Sequence, residues 1–181
     1  MNIENSWQVA NNLLTNISSD YSDIDTTKST LIYLKVQDSS LVEATSQKEA
    51  QFARLNLFQN NIDHFKIYYP GANQSEMYFI FKEEDGYPRI VGGNYYHFLP
   101  DTKTFSDYPI ITTGQAFEEL KKGNAFIITG IKPGSTVDIT DLDLGYYIGE
   151  ENNGYVLPVF IFLGKNFTAY VPAIPPQLIE E

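Results

Sequence analysis

Cysteine is missing from all 181 residues. That removes disulfides, thiol nucleophiles and thiolate metal sites from consideration. Basic residues are few: 12 Lys and Arg stand against 23 Asp and Glu, for a formal charge of −11. Phosphate backbones are held by Lys and Arg clusters, so nucleic acid and anionic lipid are poor partners for this chain. Basic proteins, peptides and cations suit it better, although charge of this size also serves plain solubility. No run approaches the roughly 18–20 apolar residues that a membrane-spanning helix needs. Met1-Asn2-Ile3-Glu4 has neither the basic start nor the apolar core of a signal peptide. Such a start suits a native N-terminus, and equally one that lies downstream of an anchor.

Histidine is almost as scarce. His64 and His97 are the only two. A metal or acid–base role needs further ligands or a carboxylate partner, so both are read as surface or hydrogen-bonded residues. Gly92-Gly93 and Gly130 to Gly134 match neither the P-loop nor the dinucleotide fingerprint, and no serine occupies a Gly-x-Ser-x-Gly elbow. No catalytic, cofactor-binding or metal-ligating residue is assigned. Asp138, Asp141 and Asp143 with Glu150 and Glu151 have a calcium-loop composition without the EF-hand spacing, and read as a solvated acidic strand start. Glu83-Glu84-Asp85 reads as a solvated turn. Three glycosylation sequons, at Asn16, Asn73 and Asn166, are near the number that chance gives in a chain this rich in Asn, Ser and Thr.

Aromatic residues are abundant: 13 Tyr and 12 Phe. They favour pleated, half-buried surfaces, and so point to sheet. The spacing of Trp7, Ala10, Leu13, Leu14 and Ile17 predicts a helix over 6–17, capped by Asn5 or Ser6. Strands are expected at 31–36, 41–45, 65–69, 77–81 and 89–98. Residues 51–59 are ambiguous, with helical spacing at Phe52, Leu55 and Phe58 against strand alternation at Ala53, Leu55 and Leu57, and are read as a strand. Asp85-Gly86 makes a hairpin turn, and Gly92-Gly93 a bulge or bend. Residues 99–109 read as a linker. A second helix is capped by Thr112 or Thr113, buries Ala116, Phe117 and Leu120, and stops at Gly123. Four strands follow, at 125–130, 137–148, 155–163 and 167–171. Leu144, Tyr146 and Ile148 face one way and Gly145 and Tyr147 the other. Val159 and Ile161 likewise oppose Phe160 and Phe162, a pattern that suits central strands. Pro158, which has no N–H, argues for an edge or a bulge.

The fold class is therefore α+β: two helix-plus-antiparallel-meander units, a tandem repeat at the level of pattern. The first covers 1–100 and the second 101–174, with 175–181 as a frayed tail. Tyr68, Tyr95, Tyr147 and Tyr155 are candidates for an interaction surface, because tyrosine is large, rigid and amphipathic. The competing reading is that tyrosine doublets place one ring inside a sheet and one outside.

Several segments of the last 70 or so residues carry a resemblance. Tyr108-Pro109-Ile110 and the helix Ala116-Phe-Glu-Glu-Leu-Lys-Lys-Gly123 look like the opening of a PepSY-like unit. Asp141-Leu-Asp-Leu-Gly-Tyr-Tyr147, Val156-Leu-Pro-Val-Phe-Ile-Phe162 and Phe167-Thr-Ala-Tyr-Val171 resemble the meander of YycI-type regulatory domains. The resemblance implies a PepSY-like or cystatin-like fold. It implies an extracytoplasmic domain, membrane-anchored in the full-length protein, that modulates sensor kinases or proteases by binding. It brings no catalytic residues. The leading expectation is a non-enzymatic regulatory module with a protein or peptide partner at the cell envelope, without direct membrane insertion and without cofactor. A small-molecule or lipid carrier with an aromatic-lined pocket comes second, and a carboxylate hydrolase last.

Overall fold

Helix α1 (Ile3–Asn16) begins where the Asn2 side chain accepts the Asn5 N–H at 2.9 Å. The cap lies upstream of both expected residues. Ser6 is fully buried and donates its hydroxyl to the Asn2 carbonyl at 2.9 Å, so it belongs to the first turn. The apolar stripe then forms as expected, with Ala10 and Leu14 fully buried and Trp7 and Leu13 packed beside them. The computed structural model describes every residue except 1, 18–19, 72–73, 102, 104–105, 130–131, 133, 150–155 and 179–181.

In chain order the strands are β1 (Thr30–Gln37), β2 (Ser40–Glu43), β3 (Phe52–Asn56), β4 (Ile67–Tyr68), β5 (Met77–Glu84), β6 (Tyr87–Tyr95), β7 (Phe126–Thr129), β8 (Ile139–Tyr147), β9 (Leu157–Gly164) and β10 (Phe167–Pro172). Helix α2 (Thr113–Lys122) precedes β7. The fold is α+β, and among the described residues the strands form two five-stranded sheets, in the orders β2-β1-β3-β5-β6 and β4-β8-β9-β10-β7.

The chain divides into two units. The first holds residues 1–60 and 75–97, and the second 61–74 and 98–181. A contiguous boundary near residue 100 leaves 61–74 with the first unit. In the structure this segment supplies β4 to the second sheet, where it pairs in parallel with β8 through Ile67↔Tyr146 and Tyr68↔Tyr147. Residues 99–101, 103 and 106–109 carry neither helix nor strand, in keeping with a linker.

In the first unit, α1 lies on one face of its sheet. Leu55, Leu57, Met77 and Phe81 are fully buried there, with Phe79 nearly so. Each such side chain contributes about 1.5–3 kcal/mol by leaving water. The hairpin turns follow from short polar residues that tolerate left-handed backbone. Asp38 and Ser39 have φ of 50° and 64° between β1 and β2, and Asp85 and Gly86 have 52° and 82° between β5 and β6. The bulge in β6 falls at Val91, one residue before the expected Gly92-Gly93: Ile80 pairs with Gly92 and Phe81 with Ile90.

In the second unit, Thr112 and Gln115 form a reciprocal capping box at the start of α2, and Gly123 ends the helix at φ 86°. Ala116 is fully buried against Phe160, Phe162, Phe167, Ala169 and Val171, and Leu120 packs beside them. Phe117, expected inside, is 42% exposed. Its ring leans towards Phe162, centroids 6.1 Å apart, from the rim of the core. Val159, Ile161 and Tyr170 occupy the opposite sheet face with Tyr68, Tyr147 and Ile128, so the expected alternation along β8 and β9 holds.

Pro158 corrects one expectation. It lies in central β9, opposite Tyr146 of β8. The Ala173 N–H donates to the Pro158 carbonyl at 2.9 Å, but proline has no N–H to return. The Ala173 carbonyl instead accepts the Ile111 N–H at 2.8 Å, from the segment leading into α2. An outside donor thus replaces the missing ladder bond. The C-terminal residues also differ from a frayed tail at their start, since Pro176–Leu178 form one 3-10 turn. The two units differ in strand order. β1 sits within its meander beside β2 and β3, whereas β7 joins the last strand, β10.

Candidate interaction surface

Of the four candidate tyrosines, three lie among the described residues. Tyr68 and Tyr147 come together in the second unit. Both rings meet Tyr170 edge-on at 5.8 Å, and Tyr170 is only 3% exposed. Tyr95 belongs to the first unit, stacked on Phe79 at 6.2 Å and tilted against His97 at 5.5 Å. Tyr155 lies outside the described residues. The tyrosines thus serve core packing at least as much as a surface, and the doublet at 68–69 buries Tyr69 while leaving Tyr68 half-buried.

Around Tyr68 the polar contacts are specific. Its hydroxyl donates to Asp143 Oδ2 at 2.7 Å, and Lys66 Nζ reaches the same oxygen at 3.0 Å. Burial and the Asp143 acceptor push the Tyr68 phenol well above its ordinary pKa. Burial pushes Tyr170 up to about 12, and its hydroxyl donates to the Tyr69 carbonyl at 3.1 Å. Burial pushes the Asp143 carboxyl up, but bonds from Tyr68, Lys66 and the Leu144 N–H outweigh it, and the net shift is down. The Tyr68 hydroxyl, Lys66 and the Asp143 carboxylate are bonded to one another. They fasten β4 to β8. Gly145 makes this possible, because a Cβ there would meet the Lys66 carbonyl oxygen and the Tyr68 ring, both at 2.6 Å.

The acids split in the same way. Asp143 is committed to that network, Asp138 and Asp141 lie near the start of β8, and residues 150 and 151 lie outside the described residues. Among the described residues, no cluster of three or more potential ligands is placed to hold a metal ion. His64 is exposed. His97 is nearly buried, with Nε2 at 2.8 Å from Asp23 Oδ1, while Gln59 donates to Asp23 Oδ2 at 2.7 Å. Burial raises the Asp23 pKa, and the bonds from His97 and Gln59 more than reverse it. No helix among the described residues is long and apolar enough to cross a membrane.

The sheet edges separate more clearly. β2 carries Glu43, β6 carries Pro88, Arg89 and the bulge at Val91, and β4 has two residues. Short length, charge, proline and bulges are the usual guards of an open edge. β7, with the sequence Phe-Ile-Ile-Thr, has no charge and no proline. Among the described residues it pairs with β10 alone, with a bulge at Ile128, and its Phe126 and Ile127 are 65% and 49% exposed. Sequence reasoning found this strand, at 125–130, but not its place at the edge of a sheet.

Arg54 was also overlooked. Its Nε donates to Asn56 Oδ1 at 2.8 Å and its Nη2 to the Ser75 carbonyl at 2.9 Å, with the guanidinium 3.6 Å from the Tyr78 ring centroid. Comparison of the chain with family models, curated proteins and solved structures gives no match.

Proposed function

We propose that this protein is a non-enzymatic binding or regulatory module that engages a protein or peptide partner along the open edge of β7. One observation carries the reading. Among the described edge strands longer than two residues, β7 alone carries neither charge nor proline; it has a bulge at Ile128, and its Phe126 and Ile127 are exposed. An extended segment added there gains main-chain hydrogen bonds along the strand and side-chain contacts from alternate residues. The PepSY-like and YycI-like motifs of the C-terminal third support the same class of role, and with it an extracytoplasmic setting and a membrane anchor in the full-length protein. Engagement of Asp143 and the tyrosine phenols in internal bonds favours binding over chemistry.

The test is capture of envelope proteins by the wild-type chain and by Phe126→Lys and Ile127→Lys. Edge lysines disfavour strand addition without disturbing a core. A partner held by wild type and lost by both variants supports the proposal. A partner held equally by all three chains places binding elsewhere and overturns it.

A further inference from the structure

The first sheet has a second face, away from α1, that is largely apolar, with Arg54 among its side chains and Glu43, opposite Leu34, at its β2 edge. Cross-strand pairs place Leu34 beside Phe52, and Ile32 and Ile80 on either side of Arg54. These four apolar side chains are half-buried, and none belongs to the α1 core. On the same face at the sheet's end, Val36 pairs with Leu41, and they are 51% and 44% exposed. An antiparallel sheet with one covered face ordinarily turns polar residues outward on the other. A contiguous apolar face rimmed by polar residues marks a docking surface.

Arg54 indicates what docks. Its guanidinium carbon lies 3.6 Å from the Tyr78 ring centroid, and Nε and Nη2 are bonded, while Nη1 has no bond among the described residues. No carboxylate among the described residues forms an ion pair with it. A preorganised guanidinium on an aromatic ring favours planar carboxylate recognition. The chain's charge of −11 repels segments rich in acid. We infer that this face binds an apolar segment of a partner protein that brings a single carboxylate to Arg54 within an otherwise neutral or basic stretch. The inference does not rest on β7.

A phage-displayed library of random short peptides, selected on the full chain and titrated by calorimetry, tests the inference. The selected peptides are expected to share one Asp or Glu among apolar residues. They should bind Arg54→Gln about tenfold more weakly or worse, a loss of about 1.4 kcal/mol. Arg54→Lys should recover part of the affinity. Leu41→Glu changes an exposed residue of the same face, so it tests the site even if Arg54→Gln does not fold; it too should weaken binding. Phe126→Lys should leave these affinities unchanged. Peptides without a shared carboxylate, unchanged affinity for both Leu41→Glu and the Arg54 variants, or a selection that yields no binder would overturn the inference.

Discussion

Replacing Gly145 by alanine tests how β4 is held. The new methyl would lie 2.6 Å from both the Lys66 carbonyl oxygen and the Tyr68 ring, far inside contact distance. The backbone on one side and the ring on the other cannot both yield, so β4 must separate from β8. The Tyr146 N–H bond to the Lys66 carbonyl at 2.8 Å and the Ile148 N–H bond to the Tyr68 carbonyl at 2.9 Å are then lost. At about 1 kcal/mol each these give about 2 kcal/mol. Weakening of the charge-assisted Tyr68–Asp143 bond adds about 1 kcal/mol more. The Lys66–Asp143 pair is mostly exposed and adds little. Gly145→Ala should therefore cost about 3 kcal/mol in urea unfolding of the second unit, within the range of overpacked cores. Hydrogen exchange should speed up at the Tyr146 and Ile148 amides and stay unchanged in β1 and β3. A cost below about 0.5 kcal/mol, or unaltered exchange at those amides, would refute the reasoning.

Three further predictions follow the same logic. Leu55→Ala, at a fully buried position under α1, should cost about 2–5 kcal/mol by thermal or chemical unfolding. Thr112→Ala removes the side chain that accepts the Gln115 N–H and should cost about 1 kcal/mol, read by the same method. Asp23 has a folded pKa below its ordinary 3.8, so the unfolded chain takes up the proton first as pH falls. Its stabilisation is complete above pH 4 and fades as pH drops through the lower folded value. In Asp23→Asn this part of the acid loss should vanish, giving a shallower fall in stability as pH drops below about 4; an identical acid limb in both chains would contradict it.

Local chemistry made much of the fold legible. Thr112 and Gly123 bracket α2 because one caps N–H groups and the other accepts left-handed backbone. Ala53 and Leu55 are buried at alternate positions of β3, so the ambiguous segment at 51–59 is strand over Phe52–Asn56. What stayed hidden depends on distant partners. β4 is two residues long and pairs with residues nearly 80 positions later, so no periodicity announces it. Pro158 sits in a central strand only because Ile111 supplies a donor from elsewhere. The candidate surface suffered for the same reason. Tyrosine composition cannot tell a ring stacked on Phe79 from one aimed at a partner, and Tyr68 and Tyr147 prove to meet a buried Tyr170. β7 was found as a strand but not as an edge, because edge status is a property of the whole sheet.

Residue-resolved hydrogen exchange on the captured complex tests the binding proposal most directly. Main-chain pairing along β7 predicts slowed exchange at the Phe126–Thr129 amides that do not bond to β10, with β2, β4 and β6 unchanged. Unchanged exchange throughout β7, with protection confined to another strand or helix, would contradict it.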